Sequence, residues 1–286
     1  MAATRAVNAL SRRFGTGSGT VAGGHAGLAL DPHLLEHLAA GRRVALVSGT
    51  NGKTTTTRLL AVALEGSYGA PATNATGSNM PTGHVTALAA AGPGAPAVLE
   101  VDEGYLPRLV GSLAPEVVVL LNLSRDQLDR SNEVRLVANK WRSALAAAGS
   151  TSVVANADDP LVCWAASGAP SARWVGAGLS WRQDAVGCPS CAGRITFGGV
   201  DGGWACTCGF SRPSVEARLE GEDVVLADGR RLRVALALPG RFNRANAVMA
   251  AAAAAVMGVE WEDALRSIGA VEEVAGRFAL VDVAGC

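Results

Sequence analysis

Seven consecutive residues, Gly49-Thr50-Asn51-Gly52-Lys53-Thr54-Thr55, combine the types that hold phosphate groups. Glycines let a backbone wrap closely around an anion, and the N–H groups that open a helix attract it. Lys53 is spaced to reach the β- and γ-phosphates of a nucleoside triphosphate, and the Thr54 hydroxyl to coordinate Mg²⁺. The strict eight-residue form of such a loop carries glycine at position 47. This chain has Val47, so the loop is a variant with its glycine at 49.

A second constellation lies far downstream. Cys188-Pro-Ser-Cys191 and Cys206-Thr-Cys208 are two thiol pairs separated by 14 residues. Four sulfurs from two tight turns suit a tetrahedral Zn²⁺ with no open coordination position, so the site is expected to be structural. The second pair, Cys-x-Cys, is one residue shorter than usual knuckle spacing. Gly187, Pro189, Gly193 and Gly209 supply the turns, and the insertion is expected to have little apolar surface of its own. Cys163 and Cys286 stand apart, which argues against a disulfide framework.

Strands must deliver these groups. Residues 43–48 (RVALVS) read as a buried strand ending at the phosphate loop, with a helix following to about residue 65. Residues 97–101, 116–123 and 151–156 are further strand patterns, and the nearly unbroken apolar run 116–123 suits a strand covered on both faces. Residues 133–148 and 241–257 are helical in period, as is 261–268; 158–160 is turn-prone; 215–219, 223–226 and 231–238 are short strands. The N-terminal part reads as a short helix (4–14) and a glycine-rich loop (15–24). Strands alternating with helices predict a doubly wound, mostly parallel α/β sheet.

Lys plus Arg and Asp plus Glu each total 25, so there is no basic excess for general nucleic-acid or anionic-membrane binding. The longest apolar run near the C-terminal end, residues 247–259, is too short to span a bilayer, and arginines interrupt any N-terminal signal core. The chain reads as cytoplasmic.

The loop GTNGKTT resembles the ATP loop of the Mur ligase family. Further similar segments follow in order: Glu100-Val-Asp-Glu103, Asn122 through Asp129, Asn156-Ala-Asp-Asp-Pro160, Gly240 through Asn246, and Gly276-Arg-Phe278. Asn74 through Met80, Gln127 in place of the histidine of the amino-acid-adding members, and the cysteine cluster together resemble the amidating branch of that family.

The resemblance implies a Mur ligase central domain with a P-loop over residues 41–275, preceded by an N-terminal segment (1–40). It further implies a zinc-ribbon-like insertion at 187–212 and a hinge beginning at 276–286, with the C-terminal domain of the family missing. It implies ATP and Mg²⁺ as cofactors beside Zn²⁺. Residues 49–55 would hold the nucleotide, with Asn243 and Asn246 contacting it. Thr54 and Glu103 would hold Mg²⁺, with Glu100 and Asp102 as competing acids. Lys53, Glu103 and Arg277 would be catalytic, Arg277 at the γ-phosphate. Lys140 is either a carbamylated metal ligand or an exposed helix lysine. The activity implied is amidation of the D-glutamate α-carboxylate of lipid II, with ammonia from a glutaminase partner of the GatD type, in peptidoglycan biosynthesis. The alternatives are a folylpolyglutamate synthase-like amino-acid ligase and a non-catalytic ATP- or zinc-binding module.

Overall fold

A computed structural model describes residues 20–74, 79–125, 131–198 and 203–273. The expected helix at 4–14 lies outside them, as do Gln127 and Arg277. The described residues begin with helices α1 (Thr20–Leu30) and α2 (Leu34–Ala39) and then enter strand β1 (Val44–Ser48). Helix α3 (Lys53–Tyr68), strand β2 (Ala72–Thr73), helix α4 (Pro81–Ala90), strand β3 (Ala97–Glu100), helix α5 (Leu106–Leu113) and strand β4 (Val117–Leu120) follow. Then come α6 (Ser131–Ala146), β5 (Ser152–Asn156), α7 (Pro160–Ala166), β6 (Ser171–Gly176) and a 3₁₀ turn (Gln183–Ala185). A small hairpin, β7 (Ile195–Phe197) and β8 (Trp204–Cys206), precedes β9 (Ala217–Glu220), β10 (Asp223–Leu226), β11 (Arg231–Arg233), α8 (Arg241–Val256) and α9 (Trp261–Gly269).

Nine strands form one sheet in the order β11-β10-β9-β6-β5-β4-β1-β3-β2. Strands β2 through β6 and β9 run parallel to β1, while β10 is antiparallel to β9 and β11 antiparallel to β10. The period of two in the central strands builds two cores. Ala45, Val47, Val117 and Val119 pack with α3, α8 and α9 on one face. Val44, Leu46, Val118 and Leu120 pack with α2, α4, α5, α6 and α7 on the other. That two-sided cover is why β1 and β4 are apolar along their whole length.

Three expectations are corrected. The glycine-rich stretch 15–24 is not all loop, because α1 begins at Thr20. Gly24 is there for close packing: a Cβ at this position would lie 2.2 Å from the Thr82 carbonyl oxygen of α4. Residues 231–238 hold a strand only to Arg233. The turn-prone Asp158-Asp159-Pro160 opens a helix, α7, because Asp159 caps it by accepting from the N–H groups of Leu161 and Val162. Among the described residues, no helix is long and apolar enough to cross a membrane.

Candidate functional site

After β1 the chain turns at the point where the strand order reverses, with β3 on one side of β1 and β4 on the other. Ligands of open α/β sheets sit in the crevice beyond the strand ends at such a switch point. Residues 49–52 form the turn, and α3 starts at Lys53. Gly49 and Gly52 have φ of 145° and 88°, conformations costly for other residues. Close approach adds a second constraint, since a Cβ on Gly52 would lie 2.5 Å from Asn246 Oδ1 of α8.

The loop is braced from β4's side. Thr50 N donates to Asn122 O at 2.9 Å, Asn51 N donates to Asn122 Oδ1 at 2.9 Å, and Asn122 Nδ2 returns a bond to Asn51 O at 3.0 Å. The Thr50 hydroxyl donates to Ser124 O and accepts from Ser124 N, both at 3.0 Å. Lys53 Nζ folds over the turn, donating to Gly49 O (2.6 Å) and Thr50 O (3.2 Å), and lies 3.3 Å from Glu103 Oε1. Thr54 is half-buried at the start of α3, whereas Thr55 faces the core.

Of the three candidate acids, Glu103 is the one paired with Lys53. Asp102 is engaged by the N–H of Gly104, and the Glu100 main chain is tied to Asn74 and His84. Glu103 is itself anchored, because the indole of fully buried Trp141 donates to its carbonyl at 2.9 Å. Lys140, one residue earlier on α6, is exposed. The helical period of 134, 138, 141 and 145 puts Trp141 on the buried face, and Lys140 falls outside it.

A cleft of about 480 Å³ extends from Asn51 and Gly52, with Asn156, Trp181, Phe242 and Asn246 among its lining residues. Asn246 faces this cleft. Asn243 is buried, donates through Nδ2 to Pro239 O at 2.7 Å, and does not line the cleft. Asn156 and Trp181 were not singled out from sequence. Asn156 carried a signal only as part of the Asn-Ala-Asp-Asp-Pro segment, and Trp181 carried none.

Asp159 links the cleft's two supports. Besides capping α7, it accepts from Leu123 N at 2.8 Å, next to the Ser124 that grips Thr50. Burial pushes its pKa from 3.8 up to about 6, against the opposing pull of the Leu123, Leu161 and Val162 N–H groups. With the folded value raised, the folded chain binds the proton more tightly. Its stabilising contribution is full below pH 3.8 and lost as pH rises through 6. Asp159→Asn cannot ionise. The stability of the wild type relative to this variant should therefore rise by about 2 kcal/mol between pH 7 and pH 4. Urea unfolding of both proteins at four pH values checks this, and a constant difference contradicts it.

The four cysteines converge. Cys188 Sγ lies 3.7 Å from Cys208 Sγ and Cys191 Sγ 3.6 Å from Cys206 Sγ, with all four sulfurs within 4.8 Å of one another. A tetrahedral ion with Zn–S bonds of about 2.3 Å needs sulfurs about 3.8 Å apart. The short Cys-x-Cys spacing works because Gly209 turns at φ 92° and donates to Cys206 O. These residues could hold a metal. Cys163 is not one of them: its buried thiol donates to Ala157 O at 3.3 Å.

The insertion has more apolar surface than its composition suggested. Ile195 and Trp204 are buried with Cys188 and Cys206, and Phe197 and Phe210 pack against them. The Trp204 indole donates to Ala157 O at 2.9 Å, and Arg212 pairs with Asp158 at 2.6 Å. The hairpin therefore leans on the turn that carries Asn156 and Asp159.

The switch-point loop, its lysine–glutamate pair and the adjoining cleft are the architecture of the P-loop α/β class. Residues 47–182 match the family model of the Mur ligase middle domain. The chain carries that domain over these residues. It is similar to the MurT subunit of lipid II isoglutaminyl synthase (glutamine-hydrolyzing) from Streptococcus pneumoniae, 30% identical over 269 residues covering 85% of this chain and 59% of that protein. The MurT subunit from Staphylococcus aureus strain COL is 27% identical, covering 72% and 51%. A pseudomurein peptide ligase type C from Methanothermus fervidus shares the fold with a TM-score of 0.60 and 24% identity, covering 82% of this chain and 50% of that one. The chain thus spans between half and three fifths of the length of these relatives.

Proposed function

We propose that this chain is the ATP-activating part of an amide ligase that converts the D-glutamate α-carboxylate of the lipid II stem peptide to D-isoglutamine. One observation carries the reading: Lys53 and Glu103 are paired at the switch-point loop of a chain similar to MurT subunits over 85% of its length. A free carboxylate is a poor electrophile at neutral pH. Its oxygen would attack the γ-phosphorus as the bond to ADP breaks. Ammonia would then attack the acyl carbon as phosphate leaves, and the nitrogen would shed a proton. Ammonia would come from a glutaminase partner of the GatD type.

In this reading the 49–55 loop cradles the phosphates and Lys53 turns from its loop carbonyls toward them. Asn246 and Asn156 border the base. Thr54 and Glu103 would hold Mg²⁺, which when bound neutralises charge on the transferred phosphoryl group. The donor set fits: a hydroxyl and a carboxylate suit a hard, oxygen-preferring cation. Arg277, outside the described residues, would assist at the γ-phosphate. Cys188, Cys191, Cys206 and Cys208 would hold one structural Zn²⁺, with four thiolates leaving no catalytic position.

The test supplies the protein and a GatD-type glutaminase with lipid II and MgATP, and offers ammonia or glutamate as acceptor. The expected result is phosphate release with ammonia and a new primary amide on lipid II. Transfer of glutamate instead would establish an amino-acid ligase. ATP binding with no phosphate release under either condition would establish a non-catalytic module.

A further inference from the structure

The cleft beside the phosphate loop has a wall built from outside that loop. Trp181 lies between β6 and the cysteine insertion, lines the cleft, and is 50% exposed. A tryptophan usually buries most of its ring, so one left half open inside a concave site offers contact area. Its polar handle is already used, because the indole Nε1 donates to Asp184 Oδ2 at 2.8 Å. What remains for the cleft is apolar ring surface.

Asp184 is a junction. Its carboxylate is 4% exposed and also accepts from the main-chain N–H of Arg125 at 2.9 Å and from the Arg125 guanidinium. Arg125 directly follows Ser124, which grips Thr50 of the phosphate loop. On the other flank, the Arg182 guanidinium lies 5.2 Å from the Phe197 ring of the insertion hairpin. The segment that carries Trp181 is thus pinned to the loop wall on one side and to the hairpin on the other. Across the cleft, Phe242 in the first turn of α8 supplies a second exposed aromatic ring.

We propose that Trp181 contacts the base of the nucleotide by stacking, and that Asp184 is the positioning residue that holds it against the cleft. This rests on the reading of the cleft as a nucleotide site. Phosphate affinity resides in residues 49–55, so the two parts of the ligand are held by separable parts of the chain. Stacking on an aromatic ring contributes about tenfold in affinity per base.

Calorimetric titration of the 286-residue chain with MgATP and, separately, with magnesium tripolyphosphate, which has no base, tests this. Trp181→Ala should weaken ATP about tenfold and leave tripolyphosphate unchanged, and Trp181→Phe should restore most of the loss. Asp184→Asn should weaken ATP by a smaller factor, again sparing tripolyphosphate. Equal ATP affinity in Trp181→Ala and wild type overturns the inference and leaves the nucleotide reading standing. Parallel loss of both ligands also overturns it, as a structural role for Trp181. A wild-type chain that binds neither ligand overturns the nucleotide reading and the inference with it.

Discussion

Lys53→Ala is expected to weaken MgATP binding roughly 10- to 100-fold and to lower amidation turnover by a further factor on the order of 10². The ammonium is held over the loop by two carbonyls and Glu103 and is 14% exposed, so its reach is short and its surroundings partly desolvated. A charge-assisted hydrogen bond in such a place is worth about 1.5–3 kcal/mol. Interactions that strengthen as the γ-phosphoryl group transfers add to the rate but not to ground-state binding. Alanine also leaves Glu103 without its cation, which adds repulsion between the carboxylate and the phosphates. The fold should survive, because Lys53 is only half-buried in the first turn of α3 and Thr55 through Thr57 carry that turn's burial. Undiminished nucleotide binding and amidation by the folded variant would sink the assignment of this loop.

The second large effect concerns the cysteines. Purified protein should contain about one Zn²⁺ per chain, and Cys206→Ser should lose it, since a serine hydroxyl replaces one of four thiolates at a site built for sulfur. Cys206 is well suited to ligation, as the N–H of Cys208 lowers its pKa to about 7. Cys163→Ser should keep its metal, because that thiol faces Ala157. Metal binding of this type is coupled to folding, with apparent free energies of about 10–16 kcal/mol. The consequence here is local. Hydrogen exchange should speed up across residues 187–212, blunted by the small core around Trp204, while β1 and β4 stay protected in the two main cores. Elemental analysis decides the matter: full zinc occupancy in Cys206→Ser means the Cys-x-Cys pair does not ligate.

The amino-acid sequence by itself determined the local features. The nearly unbroken apolar run 116–123 reads as a strand covered on both faces, and Val117–Leu120 forms one. Glycines at 49 and 52 before Lys53, after an apolar strand pattern, read as a tight turn feeding a helix, and α3 begins there. Two cysteine pairs inside a Gly- and Pro-rich stretch point to a knuckle. Each of these depends on neighbours a few residues apart, where backbone sterics and side-chain period act. The sequence misread residues 20–24 because glycine there serves a helix crossing with α4, a contact made 58 residues away in the chain at Thr82.

Tertiary structure decided which distant groups meet. It brought Glu103, of the three neighbouring acids, to Lys53, 50 residues upstream, and it put Trp141 and not Lys140 behind it. It turned Asn243 inward and left Asn246 in the cleft. It joined Asn51 to Asn122 and Arg125 to Asp184 across 71 and 59 residues. The physical reason is that parallel strand order, set by the packing of two apolar cores, fixes which loops emerge side by side. No periodicity within a segment encodes that order, so the chemistry of each group was legible and its partners were not.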